Sequence, residues 1–172
     1  MKRLKEVWLA MIKLVRVDER LLHGQVAIGW TSNSGANTIL VANDEAQQDK
    51  VKAMALDLAK PAGVKLYIRN VAESGEIVNK FASAKKAQVL VLVRNIQDAL
   101  KLIKGSNGAI TNLNVGGVKF EDGKKKLNDF VAVSDQDVAD LKEIQKMGVE
   151  LDFRMLPRDK KLSLSDLLGS DK

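Results

Sequence analysis

The chain has 172 residues, of which 45% are hydrophobic, which is enough for one domain with a sizeable core. It contains no cysteine and one histidine, so disulfides, thiolate chemistry, cysteine–metal sites and multi-histidine metal sites are excluded. The formal net charge of +6 favours anionic partners without choosing among phosphates, acidic protein faces, lipid surfaces and nucleic acid.

The first ten residues are predicted to lie outside the folded domain. They are basic and then partly apolar, but Lys13 interrupts the apolar run before a small-residue cleavage site, which argues against a signal peptide. No apolar run in the sequence approaches the roughly 20 residues that span a bilayer. We therefore predict an N-terminal extension over residues 1–10 and a folded domain over residues 11–172.

Strand and helix patterns alternate along the domain. Short apolar, β-branched runs predict strands over Ile12–Asp18, Thr38–Ala42, Val64–Arg69, Gln88–Val93, Ala109–Leu113, Phe130–Val133 and Glu150–Arg154. Helical spacing predicts a helix that begins near Gly24 and helices over Ala46–Ala59, Val71–Ala82, Ile96–Lys104, Asp135–Met147 and Ser163–Leu168.

This alternation, with only 4% aromatic residues, predicts an α/β fold with an aliphatic core. The expected architecture is an open, mostly parallel sheet with helices on both faces, in three layers. Ser134 is predicted to cap the helix at Asp135, with Asp137 close to a capping-box acid. The run Lys124–Lys126 is interpreted as a solvated loop.

Three polar or glycine-containing segments follow predicted strands. They are Asp18–Gly24, Asn43–Asp44 and Asn114–Gly117. Because open parallel sheets bind their ligands at the carboxyl ends of the strands, these segments are expected to share one ligand-binding edge.

The single histidine, His23, lies in the first of these segments. A neutral imidazole can attack a phosphoryl group, and Arg16 and Arg20 could then neutralise the phosphoryl charge with their guanidinium donors. Asp18 could orient the imidazole or hold an arginine, and Gly24 would let the backbone approach an anion closely. The competing interpretation is a structural loop histidine, with Arg16 pointing elsewhere because it lies within the strand.

Two other function classes fit parts of the sequence. An α/β phosphate- or nucleotide-binding module could use Asn114–Gly117 as a phosphate cradle, although this glycine pair lacks the spacing of a dinucleotide fingerprint or a P-loop. A nucleic-acid-binding protein is suggested by charge alone, and scarce aromatics with interspersed acids argue against it.

The segment Arg16–Val26, RVDERLLHGQV, resembles the active-site signature of the IIB subunits of the mannose/fructose/sorbose family of bacterial sugar phosphotransferase systems. Glu19 stands where many members carry aspartate, and Leu22 where many carry isoleucine. The similarity covers the chain from Met11 onward. It continues in the same order and spacing through Trp30, Asn43–Glu45, Pro61–Val64, Asn114–Gly117, Val149–Arg154 and Pro157.

The resemblance implies a cytoplasmic phosphotransferase subunit that needs no cofactor and no metal. A phosphorylated IIA protein or domain would donate to Nδ1 of His23, which would pass the group to a sugar carried by the membrane subunits IIC and IID. The active-site loop would comprise Arg16, Asp18, Arg20, Gly24 and Gln25 around His23. No nucleic acid is expected as a partner, membrane association would be peripheral through IIC and IID, and a homodimer stays open.

Overall fold

A single parallel sheet organises the protein. The computed structural model describes residues 12–24, 26–84 and 86–169. The six strands of the sheet are β1 (Ile12–Asp18), β2 (Thr38–Ala42), β3 (Lys65–Arg69), β4 (Val89–Val93), β5 (Asn112–Gly117) and β8 (Glu150–Asp152). They pair in the order β3-β2-β4-β1-β5-β8, and every pairing between neighbours is parallel.

Helices cover both faces of the sheet, which confirms the predicted three-layer α/β fold. They are α1 (Val26–Trp30, a π-helical turn), α2 (Thr31–Ser34), α3 (Asp44–Gln48), α4 (Lys50–Ala59), α5 (Val71–Ala82), α6 (Ile96–Gly105), α7 (Asp135–Lys146) and α8 (Leu164–Leu168). Among the described residues, no helix is long and apolar enough to cross a membrane.

Two apolar clusters fill the spaces between the layers. One face of the sheet packs Val15, Val91 and Leu113 beneath α5 to α8, and the other packs Ile39 and Leu92 beneath α1 to α4. All five residues of β2 and of β4 are buried, as strands covered on both faces should be.

Helix starts follow the local sequence closely. Asn43, Asn70 and Asn95 follow β2, β3 and β4, and each side chain accepts a hydrogen bond from a backbone amide of the next helix. The predicted cap of α7 is confirmed, because Ser134 and Asp137 form a reciprocal capping box.

The predicted helix over Ala46–Ala59 was wrong as one element. The chain forms α3 from Asp44 and a separate α4 from Lys50. Asp49 separates them with an extended backbone, and its side chain accepts hydrogen bonds from two backbone amides of α4. The aspartate therefore ends one helix and caps the next.

Several strand boundaries also differ from the predictions. The strand expected at Ala109–Leu113 runs over Asn112–Gly117, so the predicted glycine loop is part of β5. The strand expected at Glu150–Arg154 ends at Asp152, where the backbone turns and the Asp152 carboxylate accepts from the amide of Arg154.

The remaining differences concern a small hairpin beside the main sheet. It pairs β6 (Lys125–Lys126) with β7 (Ala132–Val133) in antiparallel fashion. The lysine run is therefore partly a strand, because Lys125 and Lys126 pair across the hairpin with two buried residues. The strand expected at Phe130–Val133 shortens to its two buried residues and lies outside the main sheet.

Candidate active site

His23 lies in the loop at the carboxyl end of β1. Leu21 and Leu22 of this loop are buried in the apolar cluster beneath α1 to α4. The amide of Leu21 donates to the carbonyl of Asp18, and Leu21 has a left-handed backbone with φ of 56°, which is rare for leucine. Strained backbone of this kind persists where the surrounding packing over-determines it. The two leucines thus anchor the loop while His23 reaches the surface.

Asp18 holds both the loop backbone and the imidazole. Its Oδ1 accepts from the amide of Arg20 at 3.1 Å, and its Oδ2 lies 3.0 Å from Nε2 of His23. Burial opposes ionisation of Asp18, but the hydrogen bond from His23 and the positive charge of Arg16 outweigh it, so the pKa of Asp18 lies below its ordinary value. An ionised carboxylate only accepts, so Nε2 of His23 carries the proton and donates. In the neutral ring the lone pair then lies on Nδ1.

Arg16 lies beneath this pair with a side chain that is 2% exposed. Its Nη2 donates to Asp18 at 3.0 Å, and its Nη1 donates to the side chain of Asn114 and to the carbonyl of Arg154. Burial lowers the pKa of Arg16, and the nearby Asp18 carboxylate opposes this shift. Both terminal nitrogens of the guanidinium therefore bind protein groups and are not presented at the surface.

Glycine is required where β5 passes this guanidinium. The pairing of β1 with β5 shifts by one residue between Val115 and Gly117, which leaves Gly116 as the extra residue of a bulge. A Cβ atom at Gly116 would lie 1.7 Å from Nη1 of Arg16. The side-chain position of this glycine is filled by Arg16, so the packing of β5 alone explains why glycine stands there, without a bound phosphate.

Arg20 points away from the buried network. It is exposed, and it lines a cleft together with Lys119 and Lys126, which belong to the segment that follows β5. Two half-exposed phenylalanines, Phe120 and Phe130, border the same cleft, and Lys126 lies over the ring of Phe120. The side of the loop at Arg20 therefore borders a cleft with three basic side chains and two aromatic rings, and the acidic Glu19 and Asp129 belong to the same lining.

Gly24, which follows His23, has open space where Gly116 has a close neighbour. A Cβ atom at Gly24 would meet no atom within 4 Å, so the fold itself does not demand glycine there. The amide of Ala27 donates to the carbonyl of His23, which starts the helical segment directly after the loop. Gln25 lies outside the described residues.

The structure thus brings Arg16, Asp18 and His23 into one chain of contacts and leaves Arg20 on its solvent side. Sequence reasoning did not assign a role to Arg94, whose Nε donates to the carbonyl of Glu19 and ties the loop to the end of β4. No local pattern marks Arg94, because it lies 75 residues from its partner.

Three residues beneath the loop were also given no individual role. Trp30, Asn114 and Arg154 surround the guanidinium of Arg16. Trp30 and Arg154 appeared only as parts of the family resemblance, and Asn114 only as part of the segment Asn114–Gly117 at the ligand edge. Within the described ranges, no group of three or more His, Cys, Asp or Glu could hold a metal ion.

Comparison with known proteins gives a consistent result. The profile of the family "PTS system sorbose subfamily IIB component" matches residues 12–172. The mannose-specific EIIAB component of Escherichia coli strain K12 is 36% identical over 161 residues, which cover 92% of this chain and 49% of that protein. The chain thus spans about half the length of this relative.

A shorter relative and a solved structure match over nearly their whole length. The sorbose-specific EIIB component of Klebsiella pneumoniae is 32% identical over 158 residues, covering 92% of this chain and 95% of that protein. The crystal structure of the IIBSor domain of the sorbose permease from Klebsiella pneumoniae superposes with a TM-score of 0.84 at 29% identity, covering 94% and 98% of the two chains. These matches confirm the resemblance read from the sequence, and the chain belongs to the sorbose subfamily of IIB components of the sugar phosphotransferase system.

Proposed function

We propose that this chain is a phosphocarrier that accepts a phosphoryl group on Nδ1 of His23 and passes it to a sugar. The observation that carries the proposal is the 3.0 Å contact between Nε2 of His23 and the buried carboxylate of Asp18. It commits one ring nitrogen to a proton and leaves the other with a lone pair. A nucleophile held in this way needs no metal and no cofactor.

Acceptance is a displacement at phosphorus. The Nδ1 lone pair of His23 forms the new N–P bond while the donor's N–P bond breaks and its electron pair returns to the donor's imidazole. The His23 ring keeps its Nε2 proton and becomes positively charged. Asp18 lies against that proton, so its carboxylate stabilises the phosphorylated ring more than the free one.

Arg20 is proposed to contact the transferred group. The phosphoryl oxygens carry negative charge throughout the transfer, and an exposed guanidinium beside the loop can donate to two of them. Arg16 is proposed to act indirectly, because its terminal nitrogens already bind Asp18 and Asn114. Gly24 fits the same picture, since the open space beside it suits a close approach by the phosphoryl group or its donor.

The partners follow from the relatives. The EIIAB name of the Escherichia coli relative joins an A and a B part in one protein, which supports a phosphorylated IIA partner as the donor. The sugar hydroxyl would then attack phosphorus, the P–Nδ1 bond would break, and the hydroxyl proton would pass to solvent or to a base on the membrane subunits IIC and IID. We place the chain in the cytoplasm, docked on those subunits, with a hexose or an amino sugar as the final acceptor.

The test is phosphorylation by a complete donor chain. The full chain is incubated with labelled phosphoenolpyruvate, enzyme I, HPr and a cognate IIA, and the label on this chain is followed. Because the sequence holds one histidine, acid-labile label on the protein reports His23 directly. We expect stoichiometric, acid-labile labelling of the wild type and none of His23→Ala.

A matched control separates chemistry from folding. His23→Ala removes one hydrogen bond from the buried Asp18, so its thermal unfolding is measured beside its labelling, and only protein that is folded at the assay temperature is scored. Labelling of His23→Ala at the wild-type rate would refute the carrier role. Acid-stable label on the wild type would refute it as well.

A further inference from the structure

Trp30 lies beneath the active-site loop and contacts two arginines and a backbone carbonyl. The Cζ atoms of Arg16 and Arg154 lie 5.4 and 5.5 Å from the centroid of its ring, within the range of cation–π attraction. The indole Nε1 donates to the carbonyl of Met155 at 2.8 Å. Trp30 is 3% exposed and the Arg16 side chain 2%, so these two meet in a largely water-free space, while the Arg154 side chain is 25% exposed.

Two hydrogen bonds hold the guanidinium of Arg154 in place. Its Nε donates to Asp152 at 2.9 Å, and its Nη1 donates to the carbonyl of Pro157 at 3.0 Å. These bonds hold the chain just after β8 in one place. The backbone carbonyl of Arg154 then accepts from Nη1 of Arg16 at 3.3 Å and from the side-chain amide of Asn114 at 3.0 Å.

The contacts continue without a gap to the imidazole. Arg16 takes part with both terminal nitrogens, Nη1 toward Asn114 and Arg154, and Nη2 toward Asp18. The guanidinium of Arg16 is planar. Because its Nη1 is hydrogen-bonded and its face packs against the ring of Trp30, the direction of Nη2 is fixed too. Asp18 is thereby oriented, and the same Oδ2 atom that meets Arg16 meets Nε2 of His23.

We infer that Arg154 and Trp30 are positioning residues for phosphoryl transfer, which act on His23 through Arg16 and Asp18. The inference rests on the proposed carrier role of His23. Neither residue touches the imidazole in the described structure, and their effect is to keep the Nε2 proton on the Asp18 side so that Nδ1 stays free. A displacement of about 1 Å in such a chain is enough to slow a transfer step up to about a hundredfold.

The main variant is Arg154→Gln, which removes the charge and the two side-chain hydrogen bonds of a residue whose side chain is 25% exposed. The first readout is the 15N-detected NMR signal of the imidazole, which belongs to His23 alone because the sequence holds one histidine. The second is the single-turnover rate of transfer from a phosphorylated IIA. Arg154→Lys and Trp30→Phe are companion variants that keep part of the contact set.

The matched control is Arg69→Gln, which removes a similar cation–π pair with Tyr67 at 5.9 Å on the far edge strand of the sheet. We expect Arg154→Gln to speed solvent exchange of the His23 Nε2 proton and to slow transfer about tenfold or more, with Arg154→Lys and Trp30→Phe in between. Arg69→Gln should match the wild type in both readouts.

The outcomes separate this inference from the proposed function. The NMR readout needs no phosphoryl donor, so it stands even if His23→Ala still accepts phosphate. An unchanged Nε2 signal in Arg154→Gln, an unchanged transfer rate, or equal effects in Arg69→Gln would each overturn the positioning role. Should Arg154→Gln fail to fold, the same two readouts on Arg154→Lys and Trp30→Phe decide in its place.

Discussion

Among single residues, the site depends most on the buried carboxylate of Asp18, which accepts hydrogen bonds from three partners. Asp18 accepts from Arg16, from the amide of Arg20 and from His23. Arg16 needs the carboxylate as much as the imidazole does, because a buried guanidinium without a counter-charge is costly. The carboxylate of Asp18 therefore contributes both to the stability of the fold and to the proposed transfer, and acid should weaken both contributions.

The pKa of Asp18 lies below the ordinary value of 3.8, so its ionised form stabilises the fold. That contribution is complete above the unfolded value and is lost as the pH falls through the lower, folded value. We expect Asp18→Ala to lower the free energy of unfolding by about 3–5 kcal/mol at neutral pH. The deficit should shrink as the pH drops below 3.8. Urea unfolding of both proteins across this range measures it.

The exposed Asp122 supplies a control for that series, because Asp122→Ala removes a carboxylate that is not buried. A gap between wild type and Asp18→Ala that stays constant with pH would contradict the assigned ionisation.

At the scale of elements, helix packing behind the site depends on one close approach. α5 and α6 cross where Gly75 faces Gly105, and a Cβ atom at Gly75 would lie 2.6 Å from the carbonyl carbon of Gly105. Backbone atoms of a packed helix cannot move aside as a flexible side chain can. These two helices cover the core beneath β4 and β1, the strands that carry Arg94 and the active-site loop.

Gly75→Ala is expected to lower the free energy of unfolding by about 1–3 kcal/mol through overpacking. This loss should occur although alanine is favoured over glycine in a helix by about 1 kcal/mol. Gly105→Ala is the matched control, because its Cβ would lie 3.4 Å from the Cα of Gly75, close to ordinary contact. Denaturant unfolding compares the pair, and equal stabilities would contradict the close approach as the cause.

At the scale of the whole molecule, charge acts together with topology. The net charge is +6, and three of the basic side chains, Arg20, Lys119 and Lys126, line the cleft beside the loop at the ligand edge of the sheet. A phosphorylated donor is negative at the reacting group itself. The encounter should therefore be steered by attraction, and salt should weaken it.

We expect kcat/KM for transfer from phospho-IIA to fall severalfold as ionic strength rises from about 0.05 to 0.5 M. Arg20→Ala should lower the rate at low salt by at least about tenfold and flatten the salt dependence, with little change in stability because the side chain is exposed. The control Arg69→Ala removes an equally exposed arginine at the end of β3. Equal losses in the two variants would argue against a specific role for Arg20.

Much of the fold was predictable because its signals are local. The fully apolar runs of β2 and β4 and the cap at Ser134 depend on residues within a few positions of each other. Some of the wrong boundaries were also local, since the break between α3 and α4 depends on Asp49 and the amides two and three residues after it. The extent of β5 depends on distant partners, because the strand pairs with β1 and passes Arg16 where only a glycine fits.

Strand–helix alternation and a short motif are properties of neighbouring residues, so the α/β class and the position of His23 in the loop after β1 were predictable from the sequence. The contacts of Arg16, Trp30 and Arg154 were not predictable, because they form only in the folded chain. Arg16 meets Arg154 across 138 positions of sequence, and such a contact exists only once β1, β5 and β8 lie side by side. Side-chain direction in a packed sheet is set by neighbours in space, so Arg16 turned inward to Asp18 while Arg20 stayed in solvent.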